Sequence, residues 1–196
     1  MQAECHLKNI SQQWENLIQH VGSCKLSRDN DLQPHQSIIK SIFFQQLHLK
    51  AAEKIYQRFL NSTNKKFPTD DEIIYNKYLF DDIGLSLRKK NTIIDIAKSN
   101  LSGKVPDQEK INALTRQEII SQYTQIKGVG KWTVDMMLIF NQGWIDVMPS
   151  NDLAIRKSIS KLNMLREIIR PADLVKETEK LSPYRSIAAW YLWQIN

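Results

Sequence analysis

The stretch from Thr115 to Arg156, TRQEIISQYTQIKGVGKWTVDMMLIFNQGWIDVMPSNDLAIR, constrains the fold more than any other part of the chain. Thr115 and Glu118 have capping-box spacing just before an apolar run, so a helix is expected to begin near Arg116 and to carry Ile119, Ile120 and Tyr123 inward. It is expected to end within Gln125 to Gly128. Gly128 and Gly130 then let the backbone turn sharply, and Lys131 opens an apolar helix, Trp132 to Phe140. A short loop leads on to Asp152 at the start of a third helix. The amides and dipole of a helix N-terminus suit a phosphate oxygen. A bare Gly-x-Gly is equally a tight helix–helix turn with incidental glycines. The capped helix before it, the apolar helix after it and the flanking Lys127 and Lys131 favour the phosphate.

The rest of the chain has helical periodicity. Ile10, Trp14, Leu17, Ile18 and Val21 predict a first helix that stops at Gly22. From Ile38 to Phe59 the apolar spacing predicts a long buried helix or a helix pair, interrupted by the adjacent amides Gln45 and Gln46. On local pattern alone those two are solvent-exposed or hydrogen-bonded in the core. A loop over 61–70 and two short helices broken at Gly84 follow. Arg88, Lys89 and Lys90 are a solvated helix start or a phosphate contact, with solvation favoured. The segment Ser102 to Lys110 reads as a further loop. No alternating strand pattern of useful length occurs, so the chain is expected to be nearly all α.

Composition narrows the classes of function. The excess of 27 Lys and Arg over 21 Asp and Glu, a formal charge of +6, raises the case for a polyanionic partner. No apolar run reaches membrane length, and the first residues lack the basic and apolar regions of a secretory signal, so an intracellular location is expected. With Cys5 and Cys24 as the two cysteines, a four-thiolate iron–sulfur site cannot be assembled from this chain. Cys5, His6, His20 and Cys24 lack the close-set spacing of ordinary zinc ligands and read as two reduced thiols beside two histidines.

Ile126-Lys-Gly-Val-Gly-Lys-Trp-Thr133 resembles the helix–hairpin–helix of the DNA glycosylase superfamily that includes endonuclease III, and Asp146-Val-Met-Pro-Ser-Asn-Asp-Leu-Ala-Ile-Arg156 resembles its Gly/Pro-Asp loop. The likeness is strongest to the alkylated-base branch, DNA-3-methyladenine glycosylase II. Phe44-Gln-Gln-Leu-His-Leu-Lys-Ala-Ala52, Ile83-Gly-Leu-Ser-Leu-Arg-Lys-Lys90 and Ser182-Pro-Tyr-Arg-Ser-Ile-Ala-Ala-Trp-Tyr-Leu-Trp193 fall in the family's order, from about Gln36 to the end.

The resemblance implies a single bilobal all-α domain over 1–196, with the active-site cleft between two helical lobes, the hairpin over about 115–140 and the Gly/Pro-Asp loop over about 143–152. Compared with some longer relatives, no additional N-terminal sheet domain is expected. The implied partner is damaged double-stranded DNA, bound by a monomer, in the nucleoid-containing cytoplasm of a bacterium or the nucleus of a eukaryote. Lys127, Gly128, Val129, Gly130, Lys131 and Thr133 would hold the DNA backbone. No cofactor is required; a Na+ or K+ ion held by the backbone carbonyls of Thr124, Ile126 and Val129 is the family's usual addition.

Asp152 matches the catalytic aspartate, although an Asp before Leu-Ala-Ile-Arg is also an ordinary N-cap. The two roles are compatible, since a carboxylate at a helix N-terminus can stabilise positive charge at the sugar. Trp132 and Trp193 match base-pocket tryptophans, and stacking a cationic base on either contributes about 0.5–2 kcal/mol. Met136 stands where some relatives carry a pocket Tyr. Bifunctional members place a Schiff-base lysine where this chain has Trp132. The neighbouring Lys131 is turned about 100 degrees away on the helix, so a monofunctional enzyme without lyase activity is expected. Gln45 and Gln46 lie where the family fills the gap left by the flipped base, with Gln46 aligned to the wedge itself. His48 replaces a small hydroxyl residue common in relatives. A glycosylase for oxidised or deaminated bases, and a non-catalytic DNA-binding module, are the alternatives; Asp152 and Trp193 argue against the second.

Overall fold

The computed structural model describes residues 2–195. Among them no strand occurs, and the α-helices run in the order α1 Gln2–Lys8, α2 Gln12–Val21, α3 Pro34–Phe44, α4 Leu49–Asn61, α5 Asp70–Tyr75, α6 Leu87–Leu101, α7 Gln108–Ala113, α8 Arg116–Tyr123, α9 Lys131–Phe140, α10 Leu153–Leu162, α11 Pro171–Glu177 and α12 Arg185–Trp193. The all-α expectation holds. The chain divides into two compact units, Met1–Arg28 with Leu138–Asn196, and Asp29–Met137, and α9 contributes to both.

Three elements differ from their sequence-based expectations. The helix expected first is preceded by α1, and the loop expected over Ser102 to Lys110 holds as far as Asp107, where α7 takes over its last three residues. Each of these helices buries one apolar residue, Leu7 and Ile111 respectively, too few to print a stripe in the sequence. For α7 the Asp107 carboxylate supplies the missing start signal by accepting the Lys110 N–H at 2.9 Å. The second of the two expected short helices, α6, is 15 residues long, and its Ser86 cap begins it just after the break at Gly84.

In the first unit, Leu7, Trp14, Leu17 and Ile18 from α1 and α2 share one core with Ile155 and Ile159 of α10 and with Ala188, Tyr191 and Leu192 of α12. Each fully buried side chain of Leu or Ile size contributes about 1.5–3 kcal/mol. The Tyr191 hydroxyl lies 2.9 Å from the Gly22 carbonyl, satisfying the end of α2 where Gly22 turns to φ 83. In the second unit, Phe43 of α3 meets Phe59 of α4 at 4.9 Å between ring centroids, and Phe59 stacks on Phe80 at 5.8 Å. This aromatic cluster supports the junction between α3 and α4.

The hairpin α8–turn–α9 is braced at both ends within the second unit. At its start the Thr115 hydroxyl and the Glu118 carboxylate form the expected reciprocal capping box. Arg116 reaches from α8 to Asp135 of α9, with Nη2 2.6 Å and Nε 3.2 Å from Oδ1. Asp135 is 1% exposed. Burial pushes its carboxyl above the ordinary value, against the opposing pull of Arg116. At the turn, Gly128 has φ 95, and a Cβ there would stand 2.3 Å from Thr92 Oγ1 on α6. That hydroxyl shares its one hydrogen between the Lys127 carbonyl and the Arg88 carbonyl of its own helix, each at 3.1 Å, so α6 and the turn are in direct contact.

The loop before Asp152 is tied to α12 within the first unit. Asp146 receives a two-pronged bond from Arg185, Nε to Oδ1 and Nη2 to Oδ2, both 2.7 Å, and a third from the Ser182 hydroxyl at 2.9 Å. Ser186 donates to the Trp144 carbonyl at 2.6 Å and accepts the Val147 N–H at 3.0 Å. Burial raises the Asp146 carboxyl, but the bonds from Arg185 and Ser182 outweigh it and hold the group below its ordinary value.

Gly128→Ala combines a left-handed backbone strain with displacement of Thr92 and is expected to cost about 2–3 kcal/mol in denaturant unfolding. Adding Thr92→Ala should recover the part due to the clash. For Asp146, a folded-state value below the unfolded one means stabilisation that is present at neutral pH and is lost as pH falls through the folded-state value. Asp146→Asn should therefore be less stable than the parent by about 1–2 kcal/mol at neutral pH. The gap should close in thermal melts taken at successively lower pH.

Candidate active site

Asp152 is the N-cap of α10. Its Oδ1 accepts the Ile155 N–H at 2.9 Å, its own N–H donates to the Pro149 carbonyl at 2.9 Å, and its carbonyl accepts the Arg156 N–H at 3.0 Å. The side chain therefore has a fixed orientation, and the residue is 9% exposed. The sequence Pro-Ser-Asn-Asp achieves this through backbone bonds, with the Ser150 N–H returning to the Met148 carbonyl at 2.9 Å. An anionic group so held, beside a helix N-terminus, suits the stabilisation of a developing cation.

The aromatic residues fall into two groups. Trp132, half-buried, and Met136, 7% exposed, are four residues apart and so lie on one side of α9. Trp193, the last residue of α12, stacks on Phe140 at 5.6 Å between centroids and 26° between planes. Phe140 is absent from the sequence-based candidates. The signal that would have found it is the four-residue repeat Trp132, Met136, Phe140 along α9.

Gln45 and Gln46 part company. The Gln45 amide nitrogen donates to the Gly128 carbonyl at 3.1 Å and to Thr133 Oγ1 at 2.8 Å, turning this side chain into the hairpin. Both amide hydrogens of Gln45 are thus used within the protein, unlike those of a side chain directed at DNA. Gln46 is exposed and has φ 54, a left-handed conformation uncommon outside glycine. Thr133 is 0% exposed, so its side chain is not available to a phosphate; it serves as the acceptor for Gln45 instead. His48 caps α4 through its backbone without a side-chain capping bond.

Around the turn, Lys127 and Gly130 are exposed, Gly128 and Lys131 are half-buried, and Val129 is buried. Lys89 is not a solvated helix start: half-buried, its Nζ donates to the carbonyls of Phe43 at 3.2 Å and Gln45 at 2.8 Å, closing the end of α3. Burial lowers its pKa. Sequence spacing gave no sign of this partner, 44 residues away. The carbonyls of Lys127 and Gly128 are taken by Thr92 and Gln45, and that of Ile126 receives the Val129 N–H at 3.0 Å. A carbonyl oxygen has a second lone pair, so the carbonyls of Thr124, Ile126 and Val129 are a donor set whose chemistry fits a hard cation. Cys5 and Cys24 are both free thiols, and among the described residues no cluster of three or more metal-ligating side chains occurs. None of the described helices is long and apolar enough to cross a membrane.

No protein-family model matches the chain. It is 38% identical over 195 residues to DNA-3-methyladenine glycosylase 1 of Schizosaccharomyces pombe, covering 98% of this chain and 86% of that protein. It is 33% identical over 196 residues to an alkylbase DNA glycosidase-like protein of the same organism, covering 98% and 92%. Among solved structures it superimposes with a TM-score of 0.93 on an S. pombe 3-methyladenine DNA glycosylase in complex with abasic DNA, at 38% identity and covering 99% of this chain and 96% of that one. The helical architecture anticipated from the motifs is thus a helix–hairpin–helix glycosylase fold, and the chain belongs to the DNA-3-methyladenine glycosylase family.

Proposed function

We propose that this protein is a monofunctional DNA repair glycosylase that flips an alkylated purine, of the 3-methyladenine kind, out of double-stranded DNA and hydrolyses its N-glycosidic bond, leaving an abasic site. The reading rests on Asp152, a 9% exposed carboxylate immobilised at a helix N-terminus, in a chain 38% identical to a DNA-3-methyladenine glycosylase over nearly its whole length.

Chemically, little acid catalysis is needed. A purine alkylated at N3 or N7 is already cationic, so the C1′–N bond breaks with its electron pair moving into the base and neutralising it. Positive charge develops at C1′, and the Asp152 carboxylate stabilises it electrostatically. Water then adds to C1′, and Asp152 helps to position it or takes its proton. Trp132 and Met136 on α9 supply apolar and aromatic surface for the extruded base, and Trp193, stacked on Phe140, is a further candidate for that role. The segment Lys127 to Lys131, at the N-terminus of α9, grips a phosphate. A monovalent cation on the carbonyls of Thr124, Ile126 and Val129 would add positive charge there. Gln46 fills the space left in the base stack. Trp132 stands in place of a Schiff-base lysine, so no covalent imine forms. Its work lies inside the cell, at the bacterial nucleoid or in the nucleus according to source, and it acts as a monomer.

Asp152→Asn keeps an effective N-cap, so the variant should fold and bind abasic DNA within about threefold of the parent. Release of methylated purines from methylated DNA should become undetectable; release at the parental rate would show that Asp152 is not the catalytic group. With borohydride and a duplex carrying an abasic site, no covalent protein–DNA adduct should form on a denaturing gel, because trapping requires an imine to a lysine.

A further inference from the structure

We propose that Gln45 is a positioning residue that ties the gap-filling Gln46 to the hairpin, so that phosphate grip and insertion into the base stack move as one hydrogen-bonded piece. This rests on Gln46 being the residue that enters the stack.

The junction between α3 and α4 is held by groups far away in sequence. Helix α3 ends at Phe44, and Lys89 of α6 donates to the carbonyls of Phe43 and Gln45 at 3.2 and 2.8 Å. The Gln45 backbone is thereby pinned on one side. On the other, its amide nitrogen spends both hydrogens on the hairpin, at the Gly128 carbonyl, 3.1 Å, and the Thr133 hydroxyl oxygen, 2.8 Å. Those two acceptors flank the segment from Val129 to Trp132. The next residue, Gln46, has φ 54. A non-glycine residue keeps that conformation only where its surroundings over-determine it, and such strain collects at sites that act on ligands. Thr92 completes the frame by donating to the Lys127 carbonyl at 3.1 Å from the helix that also carries Lys89.

The consequence is geometric. A phosphate held at the hairpin fixes Gly128 and Thr133, these fix Gln45, and Gln45 fixes where Gln46 can reach. In this arrangement Gln45 acts through the hairpin and through Gln46. Its loss should therefore leave non-specific binding intact and weaken the response to a vacant base position.

Gln45→Met keeps the side chain's length and removes both donors. Its melting temperature, its affinity for an undamaged duplex and for the same duplex with an abasic analogue, and its single-turnover release of methylated purines would be compared with those of Gln46→Ala and of the double variant. For Gln45→Met we expect undamaged-duplex binding within about twofold of the parent and a preference for the abasic duplex reduced about tenfold, the effect of losing hydrogen bonds of ordinary strength. Gln46→Ala should lose the same preference, and the double variant should lose no more than either single one. An unchanged preference in Gln45→Met, or losses that multiply in the double variant, would overturn the coupling while leaving Gln46 as the wedge. If Gln46→Ala alone keeps the preference, the wedge assignment falls and the coupling falls with it. Should Gln45→Met fail to fold, Thr133→Val removes one acceptor at constant shape and is tested in the same cycle, with a loss of about threefold expected.

Discussion

The approach of α6 to the Gly-Val-Gly turn sets the geometry of the second unit. Gly128 sits at φ 95 with the position of a Cβ only 2.3 Å from Thr92 Oγ1, so only a residue without a side chain lets the turn settle against that helix. Contact at this distance has a second effect. It brings the Thr92 hydroxyl to the Lys127 carbonyl, while Gln45 from the end of α3 takes the carbonyl of Gly128. Two carbonyls of a short turn are thus approached by α6 and by the residue that follows α3. Those carbonyls find these partners only in this compact arrangement.

The first unit solves a similar problem with charge. Between α9 and α10 the chain has no helix of its own to satisfy its backbone; Ser186 at the start of α12 bonds the backbone of Trp144, Ile145 and Val147, while Arg185 binds the Asp146 side chain. Asp146, held from three sides, fixes the loop that delivers Asp152 to its cap position. The Asp146–Arg185 pair has two well-aligned bonds and partial solvent access, a geometry in which an ion pair repays its desolvation. Asp135 in the hairpin is the costlier case, since its burial is deep and Arg116 compensates it incompletely.

Much of this was legible in the residues. Helices with an apolar stripe, such as α2 and α9, follow from spacing alone, and the Thr115–Glu118 capping box and the Asp152 cap follow from side chains that act on backbone three residues away. These are local effects, so a sequence records them directly. What escaped was either too short or too distant. The helices α1 and α7 carry one buried anchor each, and Lys89, Phe140 and Thr133 take their roles from partners that spacing does not reveal.

Gln45 and Gln46 show where that boundary lies. Adjacent and chemically identical, they differ in local pattern by nothing; the resemblance aligns Gln46 with the wedge, but it leaves Gln45 a candidate for the same space. The sequence by itself determined the all-helical architecture, the glycine turn, the capped Asp152 and membership in a glycosylase family, because each depends on short-range periodicity or on a motif in fixed order. Only the tertiary structure decided that Gln45 faces the hairpin, that Lys89 closes α3 and that Trp193 stacks on Phe140. Those assignments depend on which buried donor meets which buried acceptor or ring, and that is settled by the packing of helices distant in the chain.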